Sequence, residues 1–254
     1  MKYKVAILII IVLFGCTTEP TIMSNEKVNW KSKIFKWDNI DYSSPERYLL
    51  PGKLTNLSDS NYEAIKKYMK KDIDKMEEFE KINAIYKYMK DKNNFSSYAA
   101  GGKLISKRTV DEIIFDKTLS GCHDWGIVLT SILRKADIPA VFVDTALIGW
   151  AESYLKNESK QHEGHIFIEA YINEDWILLD STKQSIIKEY DPKNPVIGFS
   201  RNGSNYFVMF KGLDPRDYGI FGPEDMMNSM DWGAKDIIEG SKEYKVLGQI
   251  TSIE

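Results

Sequence analysis

Three residues in this 254-residue chain have types and positions suited to nucleophilic chemistry: Cys122, His165 and Asp180. Cys122 follows Ser120-Gly121 and precedes a stretch in which Trp125, Val128, Leu129, Ile132 and Ala136 form one apolar stripe at helical spacing. The thiol is therefore expected in the first turn of a buried helix, with Ser120 as its N-cap. Unpaired N–H groups and the positive end of the helix dipole favour a thiolate there, so a lowered thiol pKa is expected. Gly126, one turn further on, costs about 1 kcal/mol of helix propensity relative to Ala and so implies a close neighbour, for which a strand carrying the base is a candidate. By position alone, Cys122 fits a small buried apolar residue as well as a nucleophile.

The second half of the constellation is a hairpin. Gly164 to Ile172 alternates, with Ile166, Ile168, Ala170 and Ile172 on one face and His165, Phe167, Glu169 and Tyr171 on the other. Asn173, Glu174 and Asp175 supply turn chemistry, and Trp176 to Asp180 returns as a second apolar strand. Any antiparallel register with an even number of turn residues puts His165 and Asp180 on one face, and a four-residue turn sets them directly opposite. The carboxylate can then hold one imidazole nitrogen and leave the other to take the thiol proton. The remaining titratable candidates are weaker. His123 is expected at the surface and His162 in solvent. Glu169 is expected in a structural ion pair, and Tyr206 and Tyr218 in the core. His162 and His165 are three apart on a strand and point to opposite faces, which argues against a zinc site. No cofactor or metal is called for.

Other elements must position these residues. The Ser58 to Met89 region reads as helical, with Met76, Phe79, Ile82, Tyr86 and Met89 on one face. Asn93, Asn94, Gly101 and Gly102 interrupt the pattern, and Thr109 to Phe115 suggests a short helix feeding the cysteine segment. Asp137-Ile138-Pro139 ends the cysteine helix, and Ala140 to Val143 follows as a buried strand. Asn205 to Phe210 reads as another strand and Pro223 to Trp232 as a closing helix ended by Gly233. The Ala146 to Gly164 loop, with Trp150 and Tyr154, is expected to form part of a substrate wall.

Several of these segments carry a family likeness. Ser120-Gly121-Cys122, Leu133-Arg134-Lys135-Ala136-Asp137-Ile138-Pro139-Ala140, His165 to Tyr171, Trp176 and Asp180-Ser181-Thr182 resemble the core of transglutaminase-like proteins over roughly residues 76 to 190. The resemblance implies a papain-like α+β fold, in which a nucleophile helix packs on an antiparallel sheet behind N-terminal helices. It also implies a Cys122–His165–Asp180 triad acting on amide bonds of a protein or peptide. His123-Asp124, Gly126 and Phe167 depart from the common pattern, so the substrate does not transfer with the fold. Three activities are compatible with the segments: a peptidase or amidase, a glutamine transglutaminase or deamidase, and a binding module that keeps the fold without turnover.

The first residues read as an export signal. Lys2 and Lys4 precede an apolar run from Val5 to Phe14, and Gly15-Cys16 closes it. The run is shorter than the roughly 20 residues needed to span a bilayer. Leu13-Phe14-Gly15-Cys16 resembles the lipobox of prokaryotic lipoproteins, which implies cleavage before Cys16, lipidation of that residue and an extracytoplasmic protein anchored to the cell membrane. The expected organisation is a signal peptide over 1–15, a tether over 16–40 and a single domain over 41–254 with its core at 76–215. The net charge of −3, from 34 basic and 37 acidic residues without long runs of one sign, gives no footprint for nucleic acid. Oligomeric state is not legible.

Overall fold

A computed structural model describes residues 39–69, 72–97, 102–199, 204–246 and 249–252. Cys16, the signal segment and residues 16–38 of the expected tether lie outside the described residues.

The helices are α1 (Asp59–Met69), α2 (Glu78–Lys90), α3 (Val110–Asp116), α4 (Cys122–Lys135), α5 (Ile148–Leu155) and α6 (Pro223–Ser241). The strands are β1 (Ser96–Ser97), β2 (Thr118–Leu119), β3 (Ala140–Leu147), β4 (Gly164–Ile172), β5 (Asp175–Asp180), β6 (Ser185–Lys188), β7 (Val196–Phe199), β8 (Ser204–Gly212) and β9 (Gln249–Ser252). Seven of them form one sheet in the order β7-β8-β3-β4-β5-β6-β9, with every neighbouring pair antiparallel. The two short strands β1 and β2 pair in parallel beside it. This is the expected α+β arrangement, with the helix that opens at the cysteine packed on an antiparallel sheet.

The apolar stripe of α4 buries Val128, Leu129 and Ile132 against Phe142 of β3 and Ile166, Ile168 and Ala170 of β4, and α1, α2 and α3 close the same core. Near the far end of β3, α5 and α6 bury Trp150, Met226 and Met230 with Ala146 and Phe210. The opposite face of the sheet carries Val143, Phe167, Leu178, Ile187, Ile197 and Val208. The chain thus divides the β4 residues as the alternation predicts: even positions face α4 and odd positions face away.

Several element boundaries differ from the sequence reading. The Ser58 to Met89 pattern is two helices, α1 and α2, separated by a short helical turn at Ile73–Lys75. Strand β3 runs on to Leu147, because Asp144 and Thr145 are buried by partners rather than exposed. The Ala146 to Gly164 segment contains α5. Helix α6 continues to Ser241, with Gly233 buried inside it rather than terminating it.

Candidate active site

Helix α4 starts at Cys122, and its N-cap is Gly121, not Ser120. Gly121 has φ +152° and ψ −174°, a conformation open to glycine and strained for any residue with a Cβ. Ser120 has a different task. Its N–H donates to Asp124 Oδ2 at 2.8 Å, and its hydroxyl donates to the same oxygen. Arg108 pairs with that carboxylate and also donates to Thr118 Oγ1 (2.9 Å) and O (3.0 Å). Asp124 is buried, so this clamp fixes the backbone just before the thiol from inside the fold. Gly126 sits against the strand that carries His165: a Cβ there would meet Ile166 Cγ2 at 2.5 Å and Phe142 Cε2 at 2.8 Å.

His165 lies at the start of β4, on the face away from α4, with its ring edge-on to Phe167 (4.9 Å) and tilted against Tyr206 (5.8 Å). The β4–β5 turn has two residues, Asn173 and Glu174, both with positive φ (49° and 70°). Ile172 therefore pairs with Asp175, and Asp180 pairs with Phe167, one strand step diagonal to His165. The turn is thus even, the case in which the two side chains share a face. The four-residue alternative is replaced by a tighter one that keeps both side chains on the same face.

His165 Nε2 and Asp180 Oδ1 are 2.9 Å apart. The same oxygen accepts from Thr182 N, Thr182 Oγ1 and Lys183 N, each at 3.0 Å. Burial works to raise the Asp180 carboxyl, yet the hydrogen bonds from His165 and the 182–183 turn hold it below the ordinary value. A buried, charged acceptor on Nε2 leaves Nδ1 as the nitrogen able to take a proton.

Cys122, His165 and Ile166 line one cavity of about 590 Å³, together with Ile105, Met226, Met230 and the exposed Lys103 and Lys160. Gln161, His162 and Gly164 also border it, so the end of the 146–164 segment does form wall, whereas Trp150 is buried beneath. Among the described residues no hydrogen bond joins the thiol to the imidazole. The expected low thiol pKa is not found: burial, with the Asp144 carboxyl adding to it, pushes Cys122 up to about 12. The backbone N–H groups of His123, Cys122 and Ile166 act in the expected direction but are outweighed.

Two of the histidine expectations are overturned by packing. His123 is 6% exposed and borders the cavity, with Nε2 3.6 Å from Asp144 Oδ1. The first turn of α4 is covered on this side by β3, so the residue after the thiol has no path to the surface. Burial holds its imidazole down to about 3, with the nearby His165 charge adding to this. His162 is not free in solvent: Nε2 meets Asp231 Oδ1 of α6 at 2.7 Å, and its ring lies 5.3 Å from that of Trp150. Glu169 is in the expected ion pair, with Lys211. Tyr218 donates to Asp144 Oδ2 at 2.8 Å. Asp144 was missed. Its signal was one carboxylate inside the apolar run from Ala140 to Leu147.

Residues 65–181 match the family model of the transglutaminase-like superfamily. Over 177 residues the chain is 26% identical to "Uncharacterized protein YebA" of Bacillus subtilis (strain 168), covering 63% of this chain and 24% of that protein. The chain thus spans about a quarter of that relative's length. A crystal structure titled "Putative Cysteine Protease from Cytophaga hutchinsonii" is 18% identical, with a TM-score of 0.47 over 74% of this chain and 53% of that one. The segment 65–181 that is similar to the transglutaminase-like superfamily model contains Cys122, His165 and Asp180.

Proposed function

We propose that Cys122, His165 and Asp180 form a nucleophile, base and orienter set that cleaves amide bonds, as a peptidase or amidase. The observation that carries the reading is the 2.9 Å contact of His165 Nε2 with the buried Asp180 carboxylate, at the edge of a cavity shared with Cys122. In this scheme the sulfur attacks the amide carbonyl carbon while His165 Nδ1 takes the thiol proton. The C–N bond breaks, and the same nitrogen protonates the leaving amine. Water, deprotonated by His165, then attacks the thioester and releases a carboxylic acid and the thiol. An amine in place of water gives transamidation. The backbone N–H of Cys122 at the start of α4 is the proposed oxyanion donor.

The raised thiol pKa shapes the mechanism. Burial works against a standing thiolate at Cys122, so the scheme has His165 take the thiol proton as the sulfur attacks. The raised pKa is also the observation that favours a non-catalytic binding module as the second reading. Iodoacetamide alkylation of a Cys16→Ser chain, in which Cys122 is the sole thiol, separates the two. The enzyme reading expects alkylation that slows roughly tenfold or more in His165→Ala at neutral pH, in line with general-base effects of about 10² to 10⁴. A rate set only by solution pH and indifferent to His165 would abolish it.

We further propose that the chain is exported and anchored through lipid on Cys16, on the strength of Lys2, Lys4, the Val5 to Phe14 run and Gly15-Cys16. Among the described residues no helix is long and apolar enough to cross a membrane. Feeding bacteria an alkynyl fatty acid should label the wild-type chain and leave Cys16→Ser unlabelled. Equal labelling, or none in either, rejects the anchor.

A further inference from the structure

The cavity beside Cys122 is mostly apolar along its length, yet two acceptor groups border it that the amide-cleavage scheme does not use. Asp144 is 2% exposed. Tyr218 supplies a hydrogen bond to Oδ2, while Oδ1 has the His123 ring at 3.6 Å, beyond good hydrogen-bond range. His123 is 94% buried, and its Nδ1 has no partner in the fold. With Nε2–H directed at the carboxylate, that Nδ1 is also an acceptor.

A buried carboxylate needs a cation or several donors to offset its desolvation. Among the described residues, His123 is the basic side chain in ion-pair range of Asp144, and burial keeps it neutral. Lys103 and Lys160 border the same cavity but are solvent-exposed. Ile105, Met226 and Met230 line the same cavity as these buried acceptors. That combination of surfaces fits a straight hydrocarbon stem with a hydrogen-bond-donating, positively charged head.

We propose that Asp144 and His123 form a specificity site for an aliphatic primary ammonium carried by a substrate side chain, which threads the methionine-lined wall and pairs with Asp144 beside the nucleophile. The proposal deepens the amide-cleavage reading and names its substrate class: peptides with a lysine-like or other ω-amino side chain next to the bond that is cut. The ammonium supplies the counter-charge that the fold withholds and brings three donors to the acceptors that face it. Asp144 and His123 act here as binding residues, with no proton transfer assigned to them.

The test uses n-pentylammonium and its neutral counterpart 1-pentanol as probes, with binding to the full-length Cys16→Ser chain followed by calorimetry. Pentylammonium should bind at least tenfold tighter than pentanol, and the preference should collapse to within about twofold in Asp144→Asn, which keeps an acceptor for Tyr218. Equal binding of the two probes, or a preference that survives Asp144→Asn, overturns the site. If Asp144→Asn does not fold, pH does the same work in the unsubstituted side chain. The groups that face Asp144 are Tyr218, His123 and, across the cavity, Cys122 and His165. Since burial pushes Asp144 up to about 8, the ammonium preference should be larger at pH 9 than at pH 6, and a preference no larger at pH 9 rejects the proposal. Iodoacetamide alkylation of the same samples reports separately on the triad. Ammonium selectivity with His165-independent alkylation rejects the triad and keeps the site, and the converse rejects the site alone.

Discussion

At the scale of single residues, the site is a contest between burial and local donors, and the two carboxyls beside it come out differently. Asp180 is buried, but four hydrogen bonds converge on its Oδ1 and keep it charged. Asp144 is equally buried with one firm donor, Tyr218, and burial pushes it from 3.8 up to about 8. The sign of its effect on stability follows. Between these two values the folded chain holds a proton that the unfolded chain has released, so this group makes stability fall as pH rises through that window. Asp144→Asn removes the penalty and keeps the acceptor. Its unfolding free energy relative to wild type should therefore move in the variant's favour from pH 4 to pH 8, by at least about 1 kcal/mol, which is under one pKa unit of linkage. Urea denaturation across that range measures it, and an offset constant with pH contradicts the assignment. None of this was legible from sequence. The donor to Asp144 is 74 positions away, and no local pattern links Tyr218 to β3. The elements that carry Cys122, His165 and Asp180 were legible because each announces itself locally, as a small-residue helix start, an alternating strand and a strand end after a turn. The thiol pKa was misread for the same reason: the helix start is local, and the burial that defeats it is not.

At the scale of elements, the geometry depends on how closely α4 can approach β4. Gly126 permits that approach, because its neighbour Ile166 adjoins His165 in sequence and occupies the space a Cβ would need. The glycine was readable as an oddity in a helix, and its reason lies in the strand that follows three elements later. Gly126→Ala gains about 1 kcal/mol of helix propensity but forces overpacking that costs about 1–3 kcal/mol, so a net loss is expected. The contact partner decides whether that is the cause. Ile166→Ala removes Cγ2, and in a double-mutant cycle Gly126→Ala should be less damaging on that background by more than about 0.5 kcal/mol. Additive effects would mean the helix does not press on β4 at this point. The hairpin shows the reverse case, since the positive φ of Asn173 and Glu174 closes it in two residues, and the parity that matters to the site was fixed by alternation whichever even turn was used.

At the scale of the whole molecule, the segment before α1, which the expected domain over 41–254 includes and its core over 76–215 does not, is tied to α4 and to the sheet. Arg134 of α4 donates Nε to Tyr48 O at 3.0 Å and Nη1 to Thr55 Oγ1 at 2.8 Å. On the far face of the sheet, Lys211 of β8 pairs with Glu169 of β4 and donates to Tyr42 OH at 2.9 Å and Pro192 O at 2.7 Å. Tyr42 OH reaches both oxygens of Glu169, at 3.2 and 3.1 Å, and Tyr190 OH donates to one at 2.5 Å. Both members of the ion pair are almost wholly buried. The pair therefore joins two central strands, the N-terminal segment and the loop after β6 in a network whose charges have no recourse to water. Lys211→Met strands a carboxylate between two tyrosine hydroxyls and should cost about 3–5 kcal/mol, as should Glu169→Gln through the uncompensated ammonium. The double variant removes both charges together and should be less destabilised than the sum of the singles by at least about 1 kcal/mol. Guanidinium denaturation of the four proteins gives the cycle. Singles that each cost under about 1 kcal/mol and simply add would mean the network is incidental to the fold, and that the segment around Tyr42 is held by its apolar contacts with Trp176 and Val141 instead.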